Sequence, residues 1–123
     1  ADALAVPVVL LPGCADVWNP KVVRASMGAA FRAVPVAMTR EAAVASCRKN
    51  NVRLLATALR ADAHDLREET LSQTAVIIGS EGQGVCRELL DAADGTVIIP
   101  MQSHCESLNA AVAATIVMWQ MRR

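Results

Sequence analysis

Four short apolar runs, separated by segments with helical patterns, constrain the fold more than any other feature of this sequence. The runs cover residues 6–11, 52–57, 75–78 and 97–99. Strands that are apolar on both faces are typical of a parallel sheet, because helices then cover both sides of the sheet. The sequence therefore predicts an α/β fold in which a parallel sheet is flanked by helices.

The segments between these runs carry the signals expected of helices. Asn19-Pro20 predicts a helix start, since proline suits the first helical position, and apolar residues continue at helical spacing as far as Phe31. Thr39 predicts the N-cap of a helix that ends near Asn50. Two further helices and one polar surface segment are predicted, at residues 85–93, 107–121 and 62–73 respectively.

Composition limits the possible classes of protein. With 123 residues, 54% hydrophobic and 20% charged, the chain is predicted to form one folded domain rather than a disordered segment. No apolar run reaches the roughly 18–20 residues of a membrane span, so no membrane association is expected. The twelve basic and twelve acidic residues balance, so composition by itself gives no support for nucleic-acid binding.

The cysteines and the first residues bear on the cellular compartment of the chain and on whether it is part of a longer protein. Its four cysteines are scattered without a Cys-x-x-Cys pair, so we expect reduced thiols in the cytoplasm and no metal site. The chain begins at Ala1 without an initiator methionine or the basic start of a signal peptide. We therefore expect a piece of a longer cytoplasmic protein.

A glycine-rich loop follows the third apolar run. Residues 79–84 read Gly-Ser-Glu-Gly-Gln-Gly, and ligands of parallel sheets bind beyond the carboxyl ends of the strands. The loop lacks the Gly-Lys-Ser/Thr ending of a phosphate loop and the glycine spacing of a dinucleotide site. Glu81 would also repel a pyrophosphate, which favours a ligand with hydroxyl, amino or positively charged groups. A purely steric need for glycine in the turn remains the alternative.

A second polar loop, at residues 100–109, follows the fourth run. Ser107 and Asn109 could be ligand-site residues, or simply an N-cap and a polar residue of the first helical turn. His104 next to Cys105 could suggest a base and a nucleophile. Adjacent side chains rarely point at each other and no third residue orients them, so we do not favour that pair.

The last helix is apolar nearly all round, which is typical of a helix buried on two sides. One face carries Leu108, Val112, Thr115, Ile116 and Trp119, and the second carries Ala110, Ala113, Ala114, Val117, Met118 and Met121. We expect the second face to meet another copy of the chain in a homodimer.

The order of these motifs resembles one family. Gly-Ser-Glu-Gly-x-Gly after a strand, then Ile-Pro-Met, then Ser-Leu-Asn before an apolar helix, is similar to the SpoU (TrmH-like) family of RNA 2′-O-ribose methyltransferases in the SPOUT superfamily. Residues 19–29 are similar to the helix that precedes the family's second motif, so the resemblance covers nearly the whole chain.

The resemblance implies a fold, a cofactor and a set of site residues. It implies a C-terminal deep trefoil knot, a homodimer formed through the knot and the last helix, and methyl transfer from S-adenosylmethionine to a ribose 2′-hydroxyl of rRNA or tRNA. The implied cofactor-binding residues are Gly79, Gly82, Ile99, Met101 and Leu108. The implied catalytic residues are Glu81, Ser107 and Asn109.

The family's first motif, Asn-x-Gly-x-x-x-Arg, has no match in this sequence. Asn19 and Arg24 are one residue too close and have no glycine between them, so we expect the motif-one arginine upstream of Ala1 and little activity from these residues alone. Lys21 and Arg24 could face RNA, or could lie on a solvated helix face.

The second polar loop departs from the family's usual sequence at two positions. Ser103 and Glu106 stand where the family more often has glycine or serine. The alternative to an enzyme is a non-catalytic dimerisation or RNA-docking module on the same knotted fold. In either case residues 1–123 would be a SpoU-type domain that lacks its N-terminal portion.

Overall fold

The computed structural model describes residues 1–105 and 107–123, and these divide into two compact units, Ala1–Ala43 and Val44–Arg123. Each unit contains a sheet whose strands are all parallel. The predicted α/β class with parallel pairing is therefore confirmed. None of the described helices is long and apolar enough to cross a membrane.

The first unit contains a two-stranded sheet and two short helices. After a single 3-10 turn at Asp2–Leu4, its elements are β1 (Val9–Leu10), α1 (Pro20–Ala25), α2 (Ala29–Arg32) and β2 (Val36–Ala37). Strand β1 pairs with β2 so that Val9 lies opposite Val36.

The predicted helix start at Asn19-Pro20 is confirmed, but the helix is shorter than expected. The side-chain oxygen of Asn19 accepts a hydrogen bond from the Lys21 amide at 2.9 Å. The helix that was expected to continue to Phe31 is interrupted, because Met27 and Gly28 adopt left-handed backbone angles, with φ of 51° and 86°. The apolar spacing correctly predicted helical structure in both α1 and α2, but it did not reveal the break between the two helices.

Helix α3 (Arg40–Lys49) includes the division between the two units. The Thr39 hydroxyl oxygen accepts a hydrogen bond from the Ala42 amide at 3.1 Å, which confirms the predicted N-cap. The chain turns at Asn51, where φ is 52°, and then enters the second sheet.

The second unit contains a four-stranded parallel sheet with the strand order β4-β6-β3-β5. Its elements in chain order are β3 (Arg53–Thr57), β4 (His64–Asp65), β5 (Thr74–Ile77), α4 (Arg87–Ala92), β6 (Gly95–Ile98) and α5 (Ala110–Met121). Strand β6 therefore lies between β3 and β4, although it comes later in the chain than both.

The core of this unit contains residues that the sequence pattern assigned to the surface. Leu55 and Val97 are each only 1% exposed, and they pack with Leu66, Leu71 and Val117. The prediction that residues 62–73 lie at the surface was wrong in part, because this segment contributes strand β4 and two buried leucines. Its polar residues outnumber the leucines and obscure them in the pattern.

Helix α5 differs from its prediction in two respects. It begins at Ala110 rather than Ser107, because Asn109 is the N-cap and accepts hydrogen bonds from the amides of Ala111 and Val112. The face that was expected to meet another copy contributes Val117 and Met121 to the core of the second unit instead. The exposed face is the opposite one, with Val112, Ile116 and Trp119 at 48%, 37% and 65% exposure.

Candidate functional site

The glycine-rich loop after β5 is closed by its own backbone. The Ser80 amide donates to the Gly84 carbonyl oxygen at 3.2 Å, and the Gly84 amide donates back to the Ser80 carbonyl oxygen at 2.9 Å. Gly82 and Gly84 have φ angles of 85° and 67°, in the left-handed region that glycine adopts without strain. The loop is thus a tight, ordered turn.

Gly79 is required for a different reason, which is space. A Cβ atom at this position would lie 2.5 Å from the Val85 amide nitrogen and closer still to the Gly84 carbonyl carbon. Because both neighbours are backbone, no side-chain rotation could relieve the clash. The steric explanation for this glycine is correct, and it does not exclude a ligand at the same loop.

Glu81 and Asn109 join the two loops that the sequence singled out. The Asn109 side-chain amide donates to Glu81 Oε1 at 2.6 Å, and the Ala110 amide donates to the same oxygen at 3.2 Å. The carboxylate of Glu81 therefore lies at the N-terminus of α5, where the helix dipole favours a negative charge. This contact fixes the glycine-rich loop against the start of the last helix.

A cavity of about 910 Å³ lies beyond the carboxyl ends of β3, β5 and β6. Ligands of open parallel sheets bind at this edge. All five predicted cofactor-binding residues contribute to its wall: Gly79, Gly82, Ile99, Met101 and Leu108. The structure thus brings together residues that are up to 29 positions apart between Gly79 and Leu108.

The other predicted site residues lie in three different places. Glu81 and Ser107 also line the cavity, and Asn109 contacts Glu81 from the helix cap. Lys21 and Arg24 lie exposed on α1, in the first unit. Glu106, whose identity seemed unusual for the family, lies outside the described residues.

One wall of the cavity was not predicted from the sequence. Thr57, Ala58, Leu59 and Arg60 line it directly after β3. The Thr57 hydroxyl donates to the Ile77 carbonyl oxygen at 3.0 Å, which ties the end of β3 to the end of β5. Since this segment follows a predicted strand, the rule that ligands bind at strand carboxyl ends could have identified it.

Two carboxylates stabilise the second unit away from the cavity lining. Asp94 accepts a hydrogen bond from the Leu54 amide at 2.7 Å and pairs with Arg48, and these contacts hold the pKa of its carboxyl below the ordinary value. Hydrogen bonds from Arg53 and then His64 likewise lower the pKa of Glu69. Both groups support the ends of strands rather than the candidate site.

A parallel sheet with a large cavity at its strand carboxyl ends, walled by a glycine-rich loop, defines an α/β ligand-binding domain. Comparison with known proteins makes the class specific. The SpoU rRNA Methylase family matches residues 1–119, and the chain belongs to this family.

Relatives and solved structures agree with this assignment. The chain is 33% identical to the 23S rRNA (guanosine(2553)-2′-O)-methyltransferase RlmP of Bacillus subtilis over 123 residues, which are 99% of this chain and 50% of the relative. It is 46% identical to the tRNA (guanosine(18)-2′-O)-methyltransferase of Thermus thermophilus over 69 residues, which are 55% of this chain and 36% of the relative.

The structure of the AdoMet-bound rRNA methyltransferase from Sinorhizobium meliloti superimposes with a TM-score of 0.91 at 29% identity, covering 99% of this chain and 48% of that one. The SpoU methyltransferase AviRb from Streptomyces viridochromogenes gives a TM-score of 0.88 at 30% identity, covering 99% of this chain and 50% of that one. The chain thus spans about half the length of several relatives that it matches.

Proposed function

We propose that this chain is the cofactor-binding part of an enzyme that transfers a methyl group from S-adenosylmethionine to a ribose 2′-hydroxyl of rRNA or tRNA. The observation that carries the proposal is the single cavity lined by all five cofactor residues expected from the family motifs. Membership of the family, relatives that methylate guanosine 2′-O positions in rRNA and tRNA, and a structural neighbour with bound AdoMet support it.

The cavity fits S-adenosylmethionine in size and in chemistry. Its volume of about 910 Å³ falls within the range of roughly 300–1,000 Å³ for small-molecule sites. Ile78, Leu90 and Leu108 offer apolar surface for an adenine ring. A Cβ built at Gly82 would meet no atom within 4 Å, so the backbone there leaves space for a ribose, and the carboxylate of Glu81 complements a sulfonium charge.

The residues of this chain contribute mainly by positioning. Bound S-adenosylmethionine supplies an electrophilic methyl group, which the ribose oxygen must approach in line. The contact of Glu81 with Asn109 and α5 fixes two walls of the cavity relative to each other, so that a bound ligand is held in one orientation. The family resemblance assigns removal of the hydroxyl proton to a motif-one arginine, which no segment of this sequence matches.

The strand order supports the proposal of a C-terminal knot. Residues 58–63 connect β3 to β4 across the position of β6. We propose that the chain leaving β6 at Ile98 passes this connection on its way to Asn109, which contacts Glu81. Val117 of α5 finally packs against Leu66 and Leu71, just beyond the same connection. We propose that this passage threads the last segment through the loop, as in the family.

The exposed face of α5 supports the proposal of a homodimer. Val112, Ile116 and Trp119 recur at helical spacing and leave an apolar stripe on the surface of the second unit. Contiguous exposed apolar residues of this kind mark interaction surfaces in stable proteins. We propose that a second copy of the chain covers this stripe.

For RNA, we propose Lys21 and Arg24 as phosphate contacts, since both are exposed cations on one short helix.

Ligand-induced stabilisation tests the cofactor proposal. S-adenosylmethionine and S-adenosylhomocysteine are expected to raise the melting temperature of the chain, whereas ATP and NAD are expected to leave it unchanged. A thermal-shift titration with the four ligands measures this. No shift with any of them would favour the non-catalytic docking module, and a shift with ATP or NAD alone would indicate a general nucleotide site.

A further inference from the structure

The cavity has one cationic and one anionic side chain among the described residues that line it, Arg60 and Glu81. Glu81 is engaged with the Asn109 side chain and the Ala110 amide. Arg60 is therefore the one side chain of the described wall that offers a positive charge to a negatively charged part of a ligand.

The backbone around Arg60 is held in a turn beside the cavity. The Arg60 amide donates to the Ala58 carbonyl oxygen, and the Ala63 amide donates to the Arg60 carbonyl oxygen, both at 3.1 Å. These bonds follow directly on the last residue of β3, Thr57. The position of Arg60 along the wall is thus set by the end of a core strand.

The guanidinium of Arg60 has donors left for a ligand. Its Nε atom donates to Asp62 Oδ1 at 3.2 Å, with side-chain exposures of 50% and 71%. An ion pair this exposed is weak and exchanges readily. The two terminal amino groups take no part in it, and they form the fork that binds a carboxylate through two parallel hydrogen bonds.

We infer that Arg60 binds the carboxylate at the amino-acid end of the cofactor. The inference rests on the proposed function, since S-adenosylmethionine and S-adenosylhomocysteine both carry this group. Without Arg60, a carboxylate in the cavity would share it with the carboxylate of Glu81 and would find only uncharged donors, such as Ser107, in the described wall. Arginine binds a carboxylate better than lysine does, because its planar guanidinium can donate to both carboxylate oxygens at once.

The test compares two ligands that share adenosine and sulfur but differ in the carboxylate. S-adenosylhomocysteine has the amino-acid end, and 5′-methylthioadenosine lacks it. Titration calorimetry on the whole chain is expected to show that Arg60→Gln weakens S-adenosylhomocysteine binding by about fivefold to tenfold. Binding of 5′-methylthioadenosine is expected to change by less than about twofold, because the ligand has no group for Arg60.

Two further variants serve as controls. Arg87→Gln removes the same charge from a side chain that is 94% exposed and does not line the cavity, so it should affect neither ligand. Arg60→Lys keeps the charge without the fork and should give an intermediate loss for S-adenosylhomocysteine only. Melting temperatures without ligand show whether each variant is folded.

The possible outcomes separate this inference from the proposed function. Equal losses for both ligands, or no loss for either, would contradict the role of Arg60 and leave the cofactor proposal standing. Loss of RNA binding with unchanged S-adenosylhomocysteine affinity would also contradict it, since Arg60 would then contact the substrate. If the unchanged chain binds neither ligand, the proposed function fails and the inference fails with it.

Discussion

Single residues in the candidate site have requirements that the sequence suggested but could not separate. The three glycines of the loop after β5 look equivalent in a motif. In the structure Gly82 and Gly84 adopt left-handed backbone angles. Gly79 instead lacks the Cβ atom that would overlap the backbone of Gly84 and Val85. Alanine substitutions at Gly79 and Gly82 look alike in sequence, but they are therefore expected to lower the free energy of unfolding by different amounts.

Gly79→Ala is expected to lower the free energy of unfolding by more than about 2 kcal/mol, because its Cβ would overlap backbone atoms and force the loop open. Loss of cofactor binding should accompany it. Urea denaturation and the thermal-shift titration measure the two effects.

Gly82→Ala is the matched control for that substitution. No atom lies within 4 Å of a Cβ built at Gly82, so only its positive φ opposes alanine. Gly82→Ala is therefore expected to lower the free energy of unfolding by about 1 kcal/mol. An equal or larger loss for Gly82→Ala than for Gly79→Ala would contradict this explanation of the loop.

At the scale of elements, the segment between β3 and β5 shows where sequence reasoning failed. It was predicted to be a polar surface segment, yet Leu66 and Leu71 anchor it in the core. Glu69 anchors it a second time, through hydrogen bonds with Arg53 on β3 and with His64 on β4. The Gln120 side chain donates to the Glu69 carbonyl oxygen at 3.4 Å and so links the segment to α5. Contacts between residues 16 or more positions apart, such as Arg53 with Glu69, have no local sequence signal.

The Glu69 contacts predict a dependence of stability on pH. Arg53 and then His64 lower the pKa of Glu69 in the folded chain below its unfolded value of about 4.3. A depressed carboxyl pKa contributes stability above the unfolded pKa, and that contribution is lost as the pH falls through the folded pKa.

Glu69→Gln should therefore be less stable than the unchanged chain at pH 7, and the difference should shrink below about pH 4. Urea denaturation at several pH values measures it. A difference that stays constant between pH 7 and pH 3 would show that the charge of Glu69 contributes nothing.

Elements with a local sequence signal were predictable, and the boundaries that failed lacked such a signal. The glycine-rich loop, the Asn19 and Thr39 caps and three of the four strands of the second sheet were predictable, because each has its signal within a few residues. Strand β4 has only two residues, His64–Asp65, and neither is apolar. The start of α5 depended on the choice between two good N-cap residues, and the contact of Asn109 with distant Glu81 decides it.

At the scale of the whole molecule, the outer face of α5 carries the proposed contact with a second copy of the chain. The prediction of a partner was attached to the face with Val117, which is buried in the core, so the partner is now proposed for the opposite face. Sequence could not choose between the faces because both are apolar. The choice depends on which face the sheet and the segment after β3 cover.

Trp119→Lys is expected to convert the proposed dimer into a monomer while cofactor binding persists. A buried tryptophan contributes about 2 kcal/mol and a twofold interface counts it twice, so the dimer should weaken by at least about a hundredfold. Sedimentation equilibrium measures the change.

Trp18→Lys makes the same substitution at a tryptophan that is 51% exposed in the first unit, and it should leave the association unchanged. A monomeric unchanged chain, or equal dissociation in the two variants, would contradict a dimer formed through α5.

The order in which the cavity walls occur along the chain has a consequence for when a ligand could first bind during synthesis. Its walls come from residues 57–60, from residues 78–85, from residues 97–108 including Ile99, Met101 and Leu108, and from helix α5 as far as Ala113. Before residues 97–113 have left the ribosome, the nascent chain has only the walls from residues 57–60 and 78–85. Ligand binding would therefore report that residues 97–113 have joined the walls formed earlier in synthesis.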